Sequence, residues 1–343
     1  MKEKRLKNTD WVVLIISIVL LVIGLVALYS ATQATELDEF KKQIQWFFIS
    51  IPFIILTYLI DYRLIVKFSP VLYIILMGLL VGVLFTEPIS GASSWYKIGD
   101  FLSFQPSELG KIVVIMFMAL ILYKLQLKGK REINKPWKLL VYFICWGIPL
   151  GLIIIQPDFG TAMSYAFAMI FMLFVSNLDR KYILAVILIV VLVAPNVYTK
   201  LPRHAKARLE IFMNPESDPR GDGYNLIQSR LAIGAGQFVG MGLLKGNQTQ
   251  LGYLSPKTTD FIYSVIGEEM GFIASSTIVV LYIILINKSI GIAKNAEDSI
   301  GSYIAIGISG MLFFHMIENI GMTIGLLPIT GVPLPFVSYG GSS

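Results

Sequence analysis

Runs of about twenty apolar residues recur along this chain, and a run of that length constrains a fold more tightly than any short motif. A helix rises ~1.5 Å per residue, so ~20 apolar residues match the ~30 Å hydrocarbon core of a bilayer. Nine stretches fit or approach that length: Trp11–Ser30, Trp46–Ile60, Val71–Thr86, Pro106–Tyr123, Trp137–Ile155, Phe159–Val175, Tyr182–Tyr198, Phe261–Ile286 and Ile300–Leu326. Composition agrees, with 55% hydrophobic and only 15% charged residues in 343, against about 25% charged in soluble domains. Inside lipid each backbone polar group must be satisfied within its own segment, so the spans are helices. The fold class is therefore an all-α polytopic membrane protein, read as one transmembrane domain over residues 1–343.

Several classes fall away. Cys145 is the single cysteine and lies in an apolar run, which excludes a disulfide framework. Two histidines leave little for a zinc or haem site. A net charge of +6 spread over this length is no basic patch, so nucleic acid is not an expected partner. No internal repeat is visible, which removes the inverted-repeat argument for a transporter. The first span follows Lys2, Lys4, Arg5 and Lys7, as a signal peptide would. Its apolar core exceeds the usual 7–15 residues and no clear cleavage site follows, so it reads as an anchor.

Basic residues set the orientation. With the N-terminus in the cytoplasm, the inside segments hold Lys2, Lys4, Arg5, Lys7, Arg63, Lys67, Lys124, Lys128, Lys130, Arg131, Lys135, Lys138, Arg180, Lys181, Lys288 and Lys294. The short outside segments hold Lys41, Lys42 and Lys97. That asymmetry predicts an N-in, multi-pass protein of a cytoplasmic membrane. It also places residues 200–260, between spans seven and eight, outside. Loops of this length usually carry a role. This one is net basic, through Lys200, Arg203, Lys206, Arg208, Arg220, Arg230, Lys245 and Lys257. Long loops escape the charge rule, so tolerance and an anionic, phosphate-bearing lipid ligand explain it about equally well. Within it, Tyr224 to Leu244 mixes apolar residues with Gln228, Arg230, Gln237 and glycines, which suits an interfacial or re-entrant piece. The chain closes on Gly340-Gly341-Ser342-Ser343, which reads as the start of a further, tenth helix.

Ionisable residues inside spans cost ~2.5–3.5 kcal/mol each at the bilayer centre, so each needs a reason. Glu108 and Lys111 stand three apart in the first turns of span four and can pair, either as a self-neutralising ion pair or as a polar cavity wall. Gln105 or Ser107 with Pro106 can start that helix. Asp260 sits where the long loop turns into span eight, where an N-cap aspartate is the structural explanation. Glu268 and Glu269 lie two turns deeper. Adjacent helical side chains point ~100° apart, so the two are not expected to face one cavity. One of them pairs with Lys111 or a loop arginine, or both serve structure. Asp158 after Pro157 suits a helix N-terminus. His315, Glu318 and Asn319 indicate polar packing in span nine.

Together these stretches resemble the SEDS family (shape, elongation, division and sporulation proteins), whose members include RodA and FtsW. The resemblance covers nearly the whole chain. It rests on Asp10-Trp11, Leu28-Tyr29-Ser30-Ala31-Thr32, Phe104 to Lys111, Gln156-Pro157-Asp158-Phe159-Gly160-Thr161, Gly242 to Gly246, Thr259-Asp260-Phe261-Ile262, Gly267 to Gly271 and Gly331 to Ser343. Asn319 to Leu326 is more similar to the RodA branch. The family implies a bundle of ten transmembrane helices with both termini inside, of which this chain holds nine, and a long extracellular loop. At Gly91 to Trp95 the chain departs from the family, with Ser94 where members often carry arginine. That loop is given no phosphate role.

The resemblance further implies polymerisation of lipid II into peptidoglycan glycan strands, for cell elongation and shape, at the outer face of a bacterial cytoplasmic membrane. The implied partners are a class B penicillin-binding protein, other elongation or division proteins, and membrane lipids. Asp260 carries over as the catalytic residue. Joining an acceptor hydroxyl to an anomeric carbon needs a general base, and Asp260 would act opposite the departing lipid diphosphate in one inverting displacement. Glu108, Lys111, Arg203, Arg208, Arg220, Arg230, Lys245 and Glu268 are the expected substrate-binding residues, since lysine and planar arginine suit phosphate. A divalent cation, Mg2+ or Mn2+, can share the charge, held largely by the substrate diphosphate because no carboxylate cage is visible. Two other readings use the same residues: a lipid II flippase, and a scaffold that activates the penicillin-binding partner without chemistry of its own.

Overall fold

The computed structural model describes residues 9–87, 94–98, 102–186, 188, 203–218 and 221–341. These are mostly helical. In chain order they form α1 (Trp11–Ala31), α2 (Asp38–Leu59), α3 (Tyr62–Gly82), a hairpin of β1 (Tyr96–Ile98) and β2 (Leu102–Phe104), α4 (Pro106–Leu125), α5 (Pro136–Ile155) and α6 (Phe159–Val175). After a helical stretch at 180–186 come α7 (Arg203–Met213), α8 (Asp222–Ala235), the single turn α9 (Asn247–Gln250), α10 (Ile262–Lys294) and α11 (Ser299–Thr323). The helices α1, α2, α3, α5, α10 and α11 are long and apolar enough to cross a membrane, by length and composition. The protein is a multi-pass membrane protein. Most of the expected seventh span lies outside the described residues.

Helix boundaries depart from the apolar runs where polar residues propagate or start a helix. The second span begins at Asp38 rather than Trp46, because Asp38 and Glu39 lie in its first turn and favour the positive end of the helix dipole. The third begins at Tyr62 rather than Val71, behind Asp61, whose carboxylate accepts from the Arg63 amide at 2.9 Å. Asp10, Asp158 and Asp298 cap α1, α6 and α11 in the same way. Each such cap contributes ~1 kcal/mol. The eighth span runs on to Lys294 and is broken at Gly271, whose φ of 76° and ψ of −172° leave the helical region.

Two apolar cores meet at α11. One gathers α1, α8, α10 and the segment 329–337; the other gathers α3 to α6. Leu312, Met316 and Met322 of α11 belong to the first, and Tyr303 and Ile306 to the second. At one end of the bundle lie surface ion pairs, including Arg63 with Asp298 at 2.7 Å and Lys288 with Asp10 at 3.4 Å. Around the segment 330–341 gather Gly160 of α6, the turn before α10 and His315, Glu318 and Asn319 of α11, with Lys111 of α4 joined to it through His315.

Candidate active site

The turn that carries Asp260 is fixed through its own backbone. Three successive carbonyls accept hydrogen bonds from elsewhere in the fold: Thr258 O from the Tyr339 amide at 2.9 Å, Thr259 O from Ser338 Oγ at 2.8 Å, and Asp260 O from Asn319 Nδ2 at 3.0 Å. The other amide proton of Asn319 goes to Val332 O at 2.8 Å. Asn319 is fully buried, and its amide orientation is dictated, since two carbonyls demand the nitrogen between them. Asp260 Oδ2 lies over Gly331, 3.4 Å from where a Cβ would stand. The left-handed φ of 73° at Gly331 suits glycine there. The N-cap of α10 falls on Phe261, so Asp260 stands one residue before the N-cap rather than at the capping position that sequence reasoning allowed.

The same segment, 330–333, meets α11 and α6. His315 Nδ1 lies 2.8 Å from Pro333 O, and Thr330 Oγ1 donates to Glu318 Oε1 at 2.7 Å. Gly160 of α6 admits it, because a Cβ there would stand 2.5 Å from Val332 Cγ2 and 3.0 Å from Thr330 O. His315, Glu318 and Asn319, spaced i, i+3, i+4, thus present one helix face to the segment.

Glu108 and Lys111 form the expected ion pair, at 2.7 Å, with both side chains largely enclosed. Lys111 Nζ also lies 3.0 Å from His315 Nε2. Ser164 Oγ of α6 stands 3.1 Å from that same nitrogen. Gln105 and Pro106 do start α4, with Pro106 in its first turn. Asp158 behaves as structure alone would have it. It caps α6 through the Thr161 amide and accepts from Gln105 Nε2 at 2.7 Å.

Glu268 and Glu269 are arranged otherwise than expected. Both face the segment 246–250. Glu268 is completely enclosed and accepts from the Gln248 amide at 2.7 Å, the Thr249 amide at 3.0 Å and Thr249 Oγ1 at 2.7 Å. Glu269 Oε1 accepts from Gln250 Nε2 at 2.9 Å, which also reaches Ser30 on α1. The segment curls over the helix, so a ~100° difference in direction still leaves both carboxylates beneath it. Gly246 permits this, since a Cβ there would stand 2.6 Å from Glu268 Oε2. Among the described residues neither glutamate pairs with Lys111 or with a loop arginine. The break at Gly271 completes the arrangement. The Met241 and Gly242 amides donate to Glu268 O and Glu269 O, and the Phe272 and Ile273 amides donate to Gln237 O and Phe238 O. Residues 224–244, expected to be an interfacial or re-entrant piece, thus form a helix to Ala235 followed by backbone paired against a broken helix.

The basic residues of the 200–260 stretch are dispersed. Arg230 is exposed on α8, its Cδ close to Gly325 after α11. Lys245 is exposed and packs along Gly242. Arg208 is half-buried on α7. Arg220 and the side chain of Arg203 lie outside the described residues, as do Gly91 to Ser93. Ser94 is buried and donates to Gln156 O at 3.4 Å. Sequence reasoning passed over Lys257, whose Nζ donates to Thr249 O at 2.8 Å. Burial pulls its amine below the ordinary value, against the opposing pull of Glu269 and Glu39. It also passed over His315 as a bridge, although the His315–Glu318–Asn319 spacing was readable. Among the described residues no group of three or more His, Cys, Asp or Glu side chains could hold a metal ion.

An aspartate on a pinned turn and a buried ammonium, joined through His315 and the segment 331–333, make up the candidate site. The family is clear: residues 10–343 match the FtsW/RodA/SpoVE model, described as "Cell cycle protein", and the chain belongs to this family, the SEDS proteins. It is 36% identical to a probable peptidoglycan glycosyltransferase FtsW of Trichlorobacter lovleyi, covering 100% of this chain and 91% of that protein. It is 35% identical to the peptidoglycan glycosyltransferase MrdB of Escherichia coli, covering 98% and 90%. A chain solved in work on "Structural coordination of polymerization and crosslinking by a peptidoglycan synthase complex" superposes with a TM-score of 0.83 at 26% identity, covering 98% of this chain and 93% of that one. The rod shape determining protein RodA of Thermus thermophilus superposes with a TM-score of 0.71 at 24% identity, covering 98% and 91%, a likeness of fold.

Proposed function

We propose that this protein is a peptidoglycan glycosyltransferase that polymerises lipid II at the outer face of the cytoplasmic membrane, with Asp260 as general base. The observation that carries the reading is the pinned turn Thr258-Thr259-Asp260. Its backbone is tied by Tyr339, Ser338 and Asn319, which fixes the turn from which the Asp260 carboxylate projects over Gly331. The activity named for relatives at 36% and 35% identity supports the reading.

In this mechanism Asp260 takes the proton of the acceptor sugar's hydroxyl as its oxygen attacks the donor's anomeric carbon. The bond to the lipid diphosphate breaks on the opposite side, and the leaving group carries away the electron pair. Lys111, oriented by Glu108 and His315, holds the donor's diphosphate, which is charged before the bond breaks as well as after. Arg208, Arg230 and Lys245, with Arg203 and Arg220, supply a positive approach from the long loop. A divalent cation would be held by the diphosphate oxygens and supply charge neutralisation. Glu268 and Glu269 clamp the segment 246–250, through which the loop keeps its place above the site.

The same reading puts the N-terminus in the cytoplasm and residues 200–260 outside. A class B penicillin-binding protein is its partner, supported by the complex in which the superposing chain was solved. The test is glycan polymerisation from lipid II by purified full-length protein with that partner, its transpeptidase blocked. Wild type is compared with Asp260→Ala and Asp260→Asn, and complex formation is checked for each. Loss of polymer with the complex intact is expected. Undiminished polymer removes Asp260 as the base. Absence of polymer from wild type, with lipid II crossing liposomes that hold the protein, establishes the flippase instead.

A further inference from the structure

We infer that His315 is a positioning residue that locks the leaving-group side of the site to the general-base side. The inference rests on the reading that Asp260 and Lys111 serve the transfer. His315 is buried on α11, a helix that contributes to both apolar cores. Both ring nitrogens are engaged. Pro333 O, 2.8 Å from Nδ1, can only accept, so Nδ1 carries the proton. The Lys111 ammonium, 3.0 Å from Nε2, can only donate, so Nε2 is the acceptor. The two neighbours therefore dictate a single neutral tautomer, with Ser164 Oγ at 3.1 Å completing the pocket around Nε2.

The geometry gives each nitrogen a separate task. Through Nε2, His315 fixes one N–H of Lys111 while Glu108 fixes another at 2.7 Å. An ammonium has three donors, so two fixed bonds set the direction of the third. Through Nδ1, His315 holds Pro333, two residues from Gly331, over which Asp260 Oδ2 lies. Asn319, one turn further along α11, ties Val332 to the Asp260 carbonyl. A displacement of the ring therefore moves the ammonium and the 331–333 segment together.

Two substitutions separate the tasks. Asparagine reproduces the donor at Nδ1 but does not reach the Nε2 position. Glutamine reaches the Nε2 position with an acceptor and gives up the donor at Nδ1. His315→Asn is expected to release Lys111 and raise the KM for lipid II about tenfold. His315→Gln is expected to loosen the 331–333 segment and lower kcat about tenfold with KM little changed. The experiment measures kcat and KM for lipid II polymerisation by the purified complex, with the unfolding temperature of each variant. Asp260→Asn is assayed in parallel. Opposite splits in the two variants, at near wild-type unfolding temperature, establish the inference. Kinetics within twofold of wild type in both, or equal losses that follow a lowered unfolding temperature and vanish on cooling, overturn it. If Asp260→Asn keeps the wild-type rate, the underlying reading fails. If Asp260→Asn is inactive while both His315 variants are normal, only this inference fails.

Discussion

Glu108 on α4 and Glu268 on α10 are both enclosed carboxylates near the loop-rich end of the bundle, yet the fold satisfies them differently. Glu108 faces an ammonium at 2.7 Å. Glu268 faces two backbone amides and a hydroxyl, all from residues 248 and 249. The difference separates two uses of charge in a membrane protein. A carboxylate that receives amides holds a chain segment down, and its partners cannot move without unfolding that segment. A carboxylate paired with a lysine leaves the ammonium donors to spare, so the pair can engage a ligand and still remain neutral overall. Burial alone does not distinguish the two uses; the chemistry of the partner does.

The comparison is broken most severely by Glu268→Ala. It strands three buried donors at ~1–3 kcal/mol each, so the purified protein is expected to unfold at much lower temperature or fail to accumulate. A wild-type unfolding temperature in that variant would show that the 246–250 segment is held by other means. Gly271→Ala follows. A Cβ there would stand 2.3 Å from the Gly240 amide nitrogen at a φ of 76°, and strain of this kind costs about 1–3 kcal/mol. Faster proteolysis within residues 237–244 is the expected readout. Glu108→Gln keeps an acceptor for Lys111 but removes the charge. Stability should fall by only about 1 kcal/mol, whereas polymerisation should fall about tenfold or more.

The smallest effect is expected at the opposite end. Lys135 and Lys138 donate to Glu132 and lower its carboxyl pKa from 4.5 to about 2. A depressed acid stabilises the fold above its unfolded value and loses that contribution as pH falls through the folded one. The advantage of wild type over Glu132→Gln should therefore be constant above about pH 5, shrinking below it. Unfolding temperatures across that range check the sign. An advantage that grows on acidification would contradict it.

Much of this was legible in the chain. The apolar runs gave the membrane class, and the i, i+3 spacing of Glu108 and Lys111 gave their pairing. Asp158 read as belonging to a helix N-terminus and is its cap, with Pro157 before the helix. The start of α2 was hidden because Lys41, Lys42, Gln43 and Gln45 lower hydropathy without opposing helix. The joint use of Glu268 and Glu269 was hidden because their partners, two backbone amides, the Thr249 hydroxyl and the Gln250 side chain, lie about twenty residues upstream, and no charged residue announces them. The pinning of Asp260 was hidden for a similar reason. Its ties come from Asn319, Ser338 and Tyr339, distant in sequence and brought close only by the return of the segment 330–341.

The contrast between Asp260, proposed as the general base, and the clamping Glu268 is tested most directly by one paired measurement. Polymerisation of lipid II and thermal unfolding would be recorded side by side for Asp260→Asn and Glu268→Gln in complex with the partner. The expected result is that Asp260→Asn loses polymer while unfolding within about 2 °C of wild type, and that Glu268→Gln unfolds at distinctly lower temperature. Polymer from Asp260→Asn at the wild-type rate, or an Asp260→Asn variant that loses stability as Glu268→Gln does, would contradict it.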